Sequence, residues 1–240
     1  AEQSGIQFER FATGHYARIC YDETAWQYRL LRGVDPSKDQ SYFLFHLSQS
    51  QLAGIIFPLG EMMKKEVVKL AVARGFSDIA AKRESQDFIE SEDHSPLFSP
   101  DEVAPGPIVD TCGKVLGTHR GLVHYTIGQR EGLGVAAGRK VYVKGILKET
   151  NTVVVAGREE VLRDSCQVKD ANWISGSPPA GVLDCEVRIR YRQKAVKASV
   201  SPGDGATAQI VFAEPQFAVA PGQAAVFYSG DEVIGGGFIA

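Results

Sequence analysis

Glycine is unevenly distributed along this 240-residue chain, and its distribution separates two kinds of fold. Residues 1–94 hold six of the 25 glycines, and residues 101–240 hold the other nineteen. Tight turns between short strands favour glycine, whereas helix interiors disfavour it. The sequence therefore predicts an α/β segment followed by β-rich segments.

The glycine-poor part carries the signals for helices. Its first residues are typical of a helix end and then a strand that leads into the loop Thr13–Tyr16, as in the middle of an α/β unit. Ser48 is placed to cap a short helix through Ala53, and a longer helix is predicted from about Glu61 to Arg74, with Gly75 as its stop. A domain boundary is indicated by clustered prolines, namely Pro96, Pro100, Pro105 and Pro107.

Short β-branched runs follow this boundary. Val182–Val200 is long enough for one long strand or for two, and a turn containing Asn151 separates two earlier runs. Runs at this spacing are typical of a small barrel. The other predicted strands are Val141–Ile146, Thr152–Val155, Gln209–Phe212, Ala224–Tyr228 and Glu232–Ile239.

Composition excludes several classes of protein. The chain is 44% hydrophobic and 23% charged, as expected of a globular protein, and no apolar run approaches the roughly 20 residues of a membrane span. Neither a signal peptide nor a CxxC pair occurs, so we expect a cytoplasmic protein without a metal site, whose four scattered cysteines are buried, reduced thiols. A net charge of −3 argues against coating of nucleic acid through bulk charge but permits a local basic groove.

The segment Gly121–Val135, with the sequence GLVHYTIGQREGLGV, combines four glycines with polar and aromatic side chains. Glycines allow the backbone to approach a ligand closely, and the side chains between them can stack on bases or hydrogen-bond to them. Gln129 and Arg130 are not required by a purely structural turn. The alternative is a twisted hairpin with ordinary turn glycines.

The segment Cys185–Lys194 predicts a charged strand face. In a strand, side chains two residues apart share a face, at intervals of about 6.6 Å. A phosphate backbone would fit such a row of cations, whereas the alternative is a solvated barrel face with acidic side chains across from it. The residues predicted to share this face are Glu186, Arg188, Arg190, Arg192 and Lys194.

Three further segments are candidates for ligand contact. Lys38–Gln40 forms either a polar loop that touches a ligand or a helix N-terminus with Asp39 near its positive end. Gly14 and His15 lie where a strand ends, which is where open α/β sheets bind ligands, although a structural histidine is the alternative. Gln223 lies in a common turn pattern that by itself assigns it no function.

Eight motifs run in order over essentially the whole chain. They are ATGHYAR (12–18), LLRGVDPSKDQSYFL (30–44), FPLGE (57–61), GPIVDTCGKVLGTHRGLVHYTIGQREGLG (106–134), NWIS (172–175), RYRQ (190–193), PGQAAVFY (221–228) and GGGFI (235–239). Together they resemble the tRNA-specific 2-thiouridylase MnmA (TrmU) family. Members of this family activate the 2-carbonyl of a tRNA wobble uridine with ATP and replace its oxygen by sulfur.

This resemblance implies a fold of class α/β plus β. Residues 1–94 are expected to form the C-terminal part of a PP-loop ATP-pyrophosphatase-type domain, residues 95–160 a small glycine-rich central domain, and residues 161–240 a C-terminal β-barrel that binds tRNA. The implied function is wobble-uridine 2-thiolation, with this chain carrying mainly the tRNA-binding part. A non-catalytic RNA-binding module is the alternative, and a general nucleotide-binding protein would need a phosphate loop that the sequence lacks.

The resemblance also implies roles for individual residues. Gly14 is expected to lie against ATP, and no catalytic residue or metal ligand is assigned within these 240 residues. The residues with an implied tRNA contact are His15, Lys38, Asp39, Gln40, Arg190, Tyr191 and Gln223.

Two departures from the family pattern bear on the chemistry. The SGGxDS phosphate-binding loop and its neighbouring catalytic cysteine do not occur in these 240 residues, so the ATP site is expected to lie mostly upstream of Ala1. Many relatives carry a sulfur-bearing cysteine after the segment matching Glu84–Asp87, where this chain continues with Phe88–Ser91. Sulfur is then expected from external sulfide, an iron–sulfur cluster held upstream or a sulfur-donor protein.

Overall fold

The computed structural model describes residues 9–77 and 103–240, which form two compact units. Unit 1 comprises residues 9–77, 165–213 and 222–240, and unit 2 comprises residues 103–164 and 214–221. The predicted boundary at residue 94, with Pro96 and Pro100, lies outside the described residues, and the three-domain division stays a prediction. No helix within the described ranges is long and apolar enough to cross a membrane.

The described residues contain strands throughout and two α-helices near the start of the chain. Short 3-10 helices occur at Ser41–Leu44, Leu122–His124 and Arg158–Val161. In chain order the strands and α-helices are β1 (Phe11–Ala12), β2 (Ala17–Asp22), β3 (Gln27–Arg32), α1 (Gln49–Gly54), β4 (Ile55–Ile56), α2 (Lys64–Ala73), β5 (Gly106–Val109), β6 (Val115–His119), β7 (Tyr142–Leu147), β8 (Thr152–Ala156), β9 (Leu162–Trp173), β10 (Leu183–Arg188), β11 (Val196–Pro202), β12 (Thr207–Phe217), β13 (Ala224–Ser229) and β14 (Glu232–Ile239).

Six strands close into a β-barrel, which confirms the predicted C-terminal barrel. The strand order is β13-β10-β11-β12-β9-β14, and pairing of β14 with β13 closes the ring. The hairpin of β2 and β3 extends the sheet beyond β14. The run Val182–Val200 forms two strands, β10 and β11, which pair antiparallel to each other.

The glycines of β14 allow close packing of the barrel wall. A Cβ added at Gly236 would lie 2.6 Å from Cδ2 of Phe45 and 2.8 Å from the carbonyl oxygen of Ala225. Phe45 is 3% exposed and belongs to the core of unit 1. Glycine at position 236 therefore lets an aromatic ring pack directly on the strand backbone.

The core of unit 1 joins the barrel to the segment that carries α1. Its residues come from β2, β3, β13 and β14, from residues 42–57 and from Ile174 directly after β9, so the helical segment packs on the barrel strands. The buried members are Ala17, Leu30, Tyr42, Phe45, Leu52, Phe57, Ile174, Val226, Tyr228 and Val233.

Local capping sets the start of α1. The Ser48 hydroxyl accepts a hydrogen bond from the Gln51 amide at 3.3 Å, and the Gln51 side chain accepts one from the Ser48 amide at 2.9 Å. This reciprocal capping box satisfies two amides that the helix itself leaves unpaired. The predicted cap is thus confirmed, and the helix ends one residue later than predicted.

The second helix, α2, begins at Lys64 rather than near Glu61. The Asp35 carboxylate accepts a hydrogen bond from the Lys64 amide at 2.9 Å, and Glu66 accepts one from the Met63 amide at 2.8 Å. Because Asp35 lies far away in sequence, the pattern around the helix could not reveal this contact. Gly75 follows the helix with a φ of 83°, as its predicted role as a stop requires.

Unit 2 contains a four-stranded sheet in the order β6-β5-β8-β7. The predicted strands that begin at Val141 and Thr152 are present as β7 and β8, each with bounds shifted by one residue at most at either end. One face of this sheet is covered by the glycine-rich segment. The buried core residues are Ile108, Leu122, Tyr125, Leu133, Val141, Val143, Val153 and Val155.

Replacement of Gly236 by alanine is expected to destabilise the protein by about 2 kcal/mol, because the new methyl group would overpack the contact with Phe45. Gly181→Ala is the matched control, since a Cβ there meets nothing within 4 Å, and its effect should stay within about 0.5 kcal/mol. Urea unfolding monitored by circular dichroism measures both changes. Equal stability of the two variants would contradict the packing argument.

Candidate nucleic-acid interface

The loop between β3 and the 3-10 helix Ser41–Leu44 is organised by the Asp39 carboxylate. Its Oδ1 atom accepts hydrogen bonds from the amides of Gly33 at 3.2 Å and Ser41 at 3.1 Å, and the residue is only 6% exposed. A Cβ at Gly33 would lie 2.8 Å from the carbonyl oxygen of Tyr16. Asp39 therefore holds both ends of the loop that presents Lys38 and Gln40.

Gln40 joins this loop to the loop that contains Gly14 and His15. Its side-chain oxygen accepts a hydrogen bond from the backbone amide of Tyr16 at 3.0 Å, and the backbone amide of Gln40 donates to the Tyr16 carbonyl at 2.9 Å. These two bonds imitate a pair of strand hydrogen bonds. Four residues with implied contacts, Gly14, His15, Lys38 and Gln40, are thereby brought into one region of unit 1.

A buried ion pair adds the end of β10 to this region. Arg188 Nη1 lies 3.6 Å from Asp39 Oδ2, with side-chain exposures of 14% and 5%. The guanidinium carbons of Arg188 and Arg32 lie 5.3 Å and 4.1 Å from the ring centroid of Tyr228. A charged pair this deeply buried is costly to break, because the remaining partner would keep an uncompensated charge.

Aromatic packing continues this contact into the turn that follows β10. The Tyr191 ring lies 4.5 Å from Phe43 and 5.9 Å from Tyr42, measured between centroids. Burial raises the pKa of the Tyr191 hydroxyl, the nearby charge of Asp39 acts in the same direction, and Lys38, Arg188 and Arg192 oppose it. Segments 38–43 and 188–192 therefore form one surface.

The prediction of a cationic strand face was wrong. Strand β10 ends at Arg188, and Arg190 begins a turn in which the Gln193 amide donates to the Arg190 carbonyl at 3.1 Å. Alternation of period two therefore stops before Arg192 and Lys194. As a result, Arg190 and Tyr191 are not assigned to opposite faces of a strand, and both are half-buried next to segment 38–43.

Gln223 lies in the turn before β13 with an exposed side chain. Its carbonyl oxygen accepts a hydrogen bond from the Ile239 amide at 2.8 Å. The next residue, Ala224, accepts a hydrogen bond from the Tyr42 hydroxyl at 2.8 Å. The turn that carries Gln223 is thus attached to the aromatic part of the same surface.

Gly14 is open to a ligand. It is exposed in the loop after β1, which pairs parallel with β4, and a Cβ there would lie 3.7 Å from Leu59, an ordinary contact. Packing among the described residues therefore does not require glycine at this position. His15 is held beside it, since its Nδ1 atom lies 3.0 Å from the Thr13 hydroxyl and its ring packs edge-on against Phe57.

The glycine-rich segment Gly121–Val135 in unit 2 does not form a hairpin, and Gln129 and Arg130 both have partners within it. It begins with the 3-10 helix Leu122–His124 and then turns without forming strands. Gln129 accepts a hydrogen bond from the Thr126 amide at 3.0 Å and donates to the Glu131 carbonyl at 2.9 Å. The interpretation of Gln129 as unnecessary to structure was wrong, because its amide group holds this turn. Arg130 lies 3.6 Å from the Glu131 carboxylate.

Three family models match the chain along its length. The tRNA methyl transferase HUP domain matches residues 1–90, the tRNA methyl transferase PRC-barrel domain matches residues 100–157, and the aminomethyltransferase beta-barrel domain matches residues 163–239. The HUP match confirms the predicted α/β class for the first segment, and the last match covers the closed barrel.

Individual relatives are similar over almost the whole chain. The tRNA-specific 2-thiouridylase MnmA of Nostoc punctiforme is 48% identical over 235 residues, which cover 96% of this chain and 67% of that protein. The protein of the same name from Trichormus variabilis is 48% identical over 242 residues, covering 99% and 68%. The Synechocystis protein of that name is 45% identical over 241 residues, covering 99% and 67%.

The chain belongs to the MnmA family. It spans about two thirds of the length of these MnmA proteins. The predicted family is thereby confirmed. The roles that the MnmA resemblance assigns to single residues stay predictions, although unit 1 brings most of these residues together.

Sequence reasoning missed two residues of this MnmA surface. Arg188 was assigned to a strand face, yet it is the buried partner of Asp39. Phe43 was included only as a letter of the motif at 30–44, yet it is 55% exposed and its ring packs against that of Tyr191. The pairing of Arg188 with a buried carboxylate and the exposure of Phe43 depend on tertiary contacts, so no local pattern could have found them.

The cysteines of this chain correct a further prediction. All four are free thiols, but Cys20 and Cys112 are exposed rather than buried. Burial raises the pKa of Cys166 to about 11 and that of Cys185 to about 12, and the nearby carboxylates Asp184 and Glu186 also raise the latter. Cys166 and Cys185 are therefore protonated at neutral pH and unsuited to nucleophilic sulfur chemistry. The segment that matches the family's sulfur-bearing cysteine, 84–91, lies outside the described residues.

Iodoacetamide at pH 8 is expected to modify Cys20 and Cys112 much faster than Cys166 and Cys185, because alkylation requires an accessible thiolate. Peptide mass spectrometry of samples taken over time measures the four rates. The chain unfolded in urea is the control, in which all four should react at similar rates. Fast modification of Cys185 in the folded protein would contradict the assignment.

Neutralisation of the buried ion pair by Asp39→Asn is expected to destabilise unit 1 by about 3 kcal/mol, because Arg188 would keep an uncompensated charge. The exposed pair of Arg18 and Asp231, 3.4 Å apart, offers the matched control. Asp231→Asn should cost less than about 1 kcal/mol. A double-mutant cycle with Arg188→Met, followed by urea unfolding, checks that the Asp39 effect acts through Arg188.

Proposed function

We propose that this chain carries the tRNA-binding part of an enzyme that replaces the C2 oxygen of a tRNA wobble uridine by sulfur. Its relatives bear the name tRNA-specific 2-thiouridylase, and they are similar to it over nearly its whole length. The reaction belongs in the cytoplasm, as the scattered free cysteines suggest.

This proposal depends mainly on the ion pair between Asp39 and Arg188, which joins segments 38–43 and 188–192. The pair places Lys38 beside the turn that contains Arg190, Tyr191 and Arg192. Cationic side chains beside tyrosine rings suit a nucleic-acid backbone, because arginine binds phosphate oxygens with charge-assisted hydrogen bonds. The Asp39 carboxylate and the side-chain oxygen and backbone amide of Gln40 already form hydrogen bonds within the chain. Their proposed role is therefore to hold this surface in shape. The residues proposed to contact tRNA are Lys38, Arg190 and Tyr191.

The open backbone at Gly14 supports a contact with ATP. ATP would supply adenylation of the C2 oxygen of uridine, which converts a poor leaving group into AMP and lets sulfur displace it. Gly14 would admit the nucleotide, and His15, held by Thr13, would stand between the nucleotide and the tRNA. We propose no catalytic residue among the residues of this chain.

The sulfur and the phosphate-binding loop are proposed to come from outside these 240 residues. No SGGxDS loop occurs in the sequence, so nothing here would orient a triphosphate for attack. The purified chain is therefore expected to bind tRNA without forming 2-thiouridine, even with ATP and sulfide present. Sulfur would reach the full-length enzyme from sulfide, an iron–sulfur cluster or a donor protein.

Replacement of Arg190 by alanine is expected to weaken tRNA binding by about 1–3 kcal/mol, because charge-assisted hydrogen bonds to phosphate would be lost. The salt dependence of binding should also become shallower, since fewer counterions are released. Filter binding or fluorescence anisotropy at several salt concentrations measures both quantities. The loss should be nearly independent of the anticodon, because phosphate contacts position RNA without reading its sequence.

Arg74→Ala is the matched control for Arg190→Ala. Arg74 is exposed after α2, so this variant removes one positive charge from unit 1 at a residue outside segments 38–43 and 188–192. Its tRNA affinity should remain within about twofold of the original protein. Equal affinities and salt slopes for all three proteins would overturn the proposed binding surface.

A further inference from the structure

Phe43 exposes an apolar aromatic ring to solvent beside a residue of the buried core. Its neighbour Tyr42 is 5% exposed and packs in the core of unit 1, whereas Phe43 is 55% exposed. Both belong to the 3-10 helix Ser41–Leu44, which turns Phe43 outward. A single exposed aromatic ring is common in proteins, so the surroundings of this ring decide its meaning.

Two other rings hold Phe43 in position. Its centroid lies 5.3 Å from that of Tyr42 at an interplanar angle of 89°, and 4.5 Å from that of Tyr191 at 42°. Tyr42 is itself anchored, because its hydroxyl donates to the Ala224 carbonyl at 2.8 Å. The Phe43 amide donates to the Gln40 carbonyl at 3.0 Å. The ring is therefore supported on one side and open on the other.

Cationic side chains lie near the two tyrosines that support this ring. Lys38, Arg188 and Arg192 act on the hydroxyl of Tyr191, and Arg188 and Arg190 act on that of Tyr42. The carboxylate nearest to Tyr191, that of Asp39, is buried and paired with Arg188. An apolar or cationic partner would gain nothing from these cations, whereas a polyanion that also presents flat rings would gain from both features.

Unpaired nucleotides combine these two properties. Each carries a phosphate that cations attract and a base whose flat face stacks on an aromatic side chain. We infer that Phe43, supported by Tyr191, is a stacking platform for an unpaired base of the bound tRNA. This inference rests on the proposed function and adds a base contact that the phosphate contacts of Arg190 do not supply.

Substitutions at Phe43 separate stacking from charge. Phe43→Leu keeps an apolar side chain without a flat ring, and it should weaken tRNA binding by about tenfold while leaving the salt slope unchanged. Phe43→Tyr keeps the ring and should bind as the original protein does. Trp26→Leu is the matched control, because Trp26 is 80% exposed on the β2–β3 turn, which carries the acidic residues Asp22 and Glu23.

A fluorescent variant reports the contact directly. In the double variant Trp26→Phe with Phe43→Trp, emission should be quenched when tRNA is added, because base stacking places the indole against a nucleobase. Trp26→Phe alone is the control and should show little quenching, since its remaining Trp173 is 9% exposed.

The possible results distinguish the stacking platform at Phe43 from the proposed function on which it rests. Absence of tRNA binding by the original 240-residue chain would overturn the proposed function and this inference together. Binding that depends on Arg190 but is the same for Phe43→Leu would overturn the stacking platform alone. Weaker binding with Phe43→Leu, recovery with Phe43→Tyr and quenching in the double variant would support it.

Discussion

The candidate interface depends on the ion pair between Asp39 and Arg188. Both side chains lie almost out of solvent, 3.6 Å apart, so each compensates a charge that would be costly to bury alone. Asp39 also accepts the amides of Gly33 and Ser41, which makes one carboxylate responsible for the shape of a whole loop. Because Arg188 is the last residue of β10, the barrel and this loop cannot adopt their positions independently.

This pair also determines where the remaining positive charge lies. Four cations in a row on one strand face would repel one another, and the structure avoids that arrangement by ending β10 at Arg188. Lys38 and Arg192 instead act on the hydroxyl of Tyr191, and Arg190 acts on that of Tyr42. Cationic side chains near exposed aromatic area combine attraction for phosphates with a flat face on which a base can stack, whereas a purely cationic face offers only the first.

Local patterns predicted the secondary structure well where local forces determine it. The capping box of Ser48, the glycine after α2 and the β-branched runs of the barrel all act within a few residues. The errors concern features with distant partners. The helix start at Lys64 depends on Asp35, the end of β10 coincides with the contact to Asp39, and the exposure of Cys20 and Cys112 depends on how the strands and turns pack.

The sequence by itself determined the family, the strands of the barrel and the glycine that stops α2, because periodicity, turn chemistry and motifs are local properties of the chain. Only the tertiary structure decided which polar side chains are available to a ligand. Asp39, Gln40 and Gln129 look alike in sequence as polar residues within candidate loops, yet each is engaged in hydrogen bonds to the chain itself. A hydrogen bond depends on distance and angle in space. The partners of Asp39 and Gln40 include groups on other segments, so periodicity along the chain could not reveal that these two side chains are engaged.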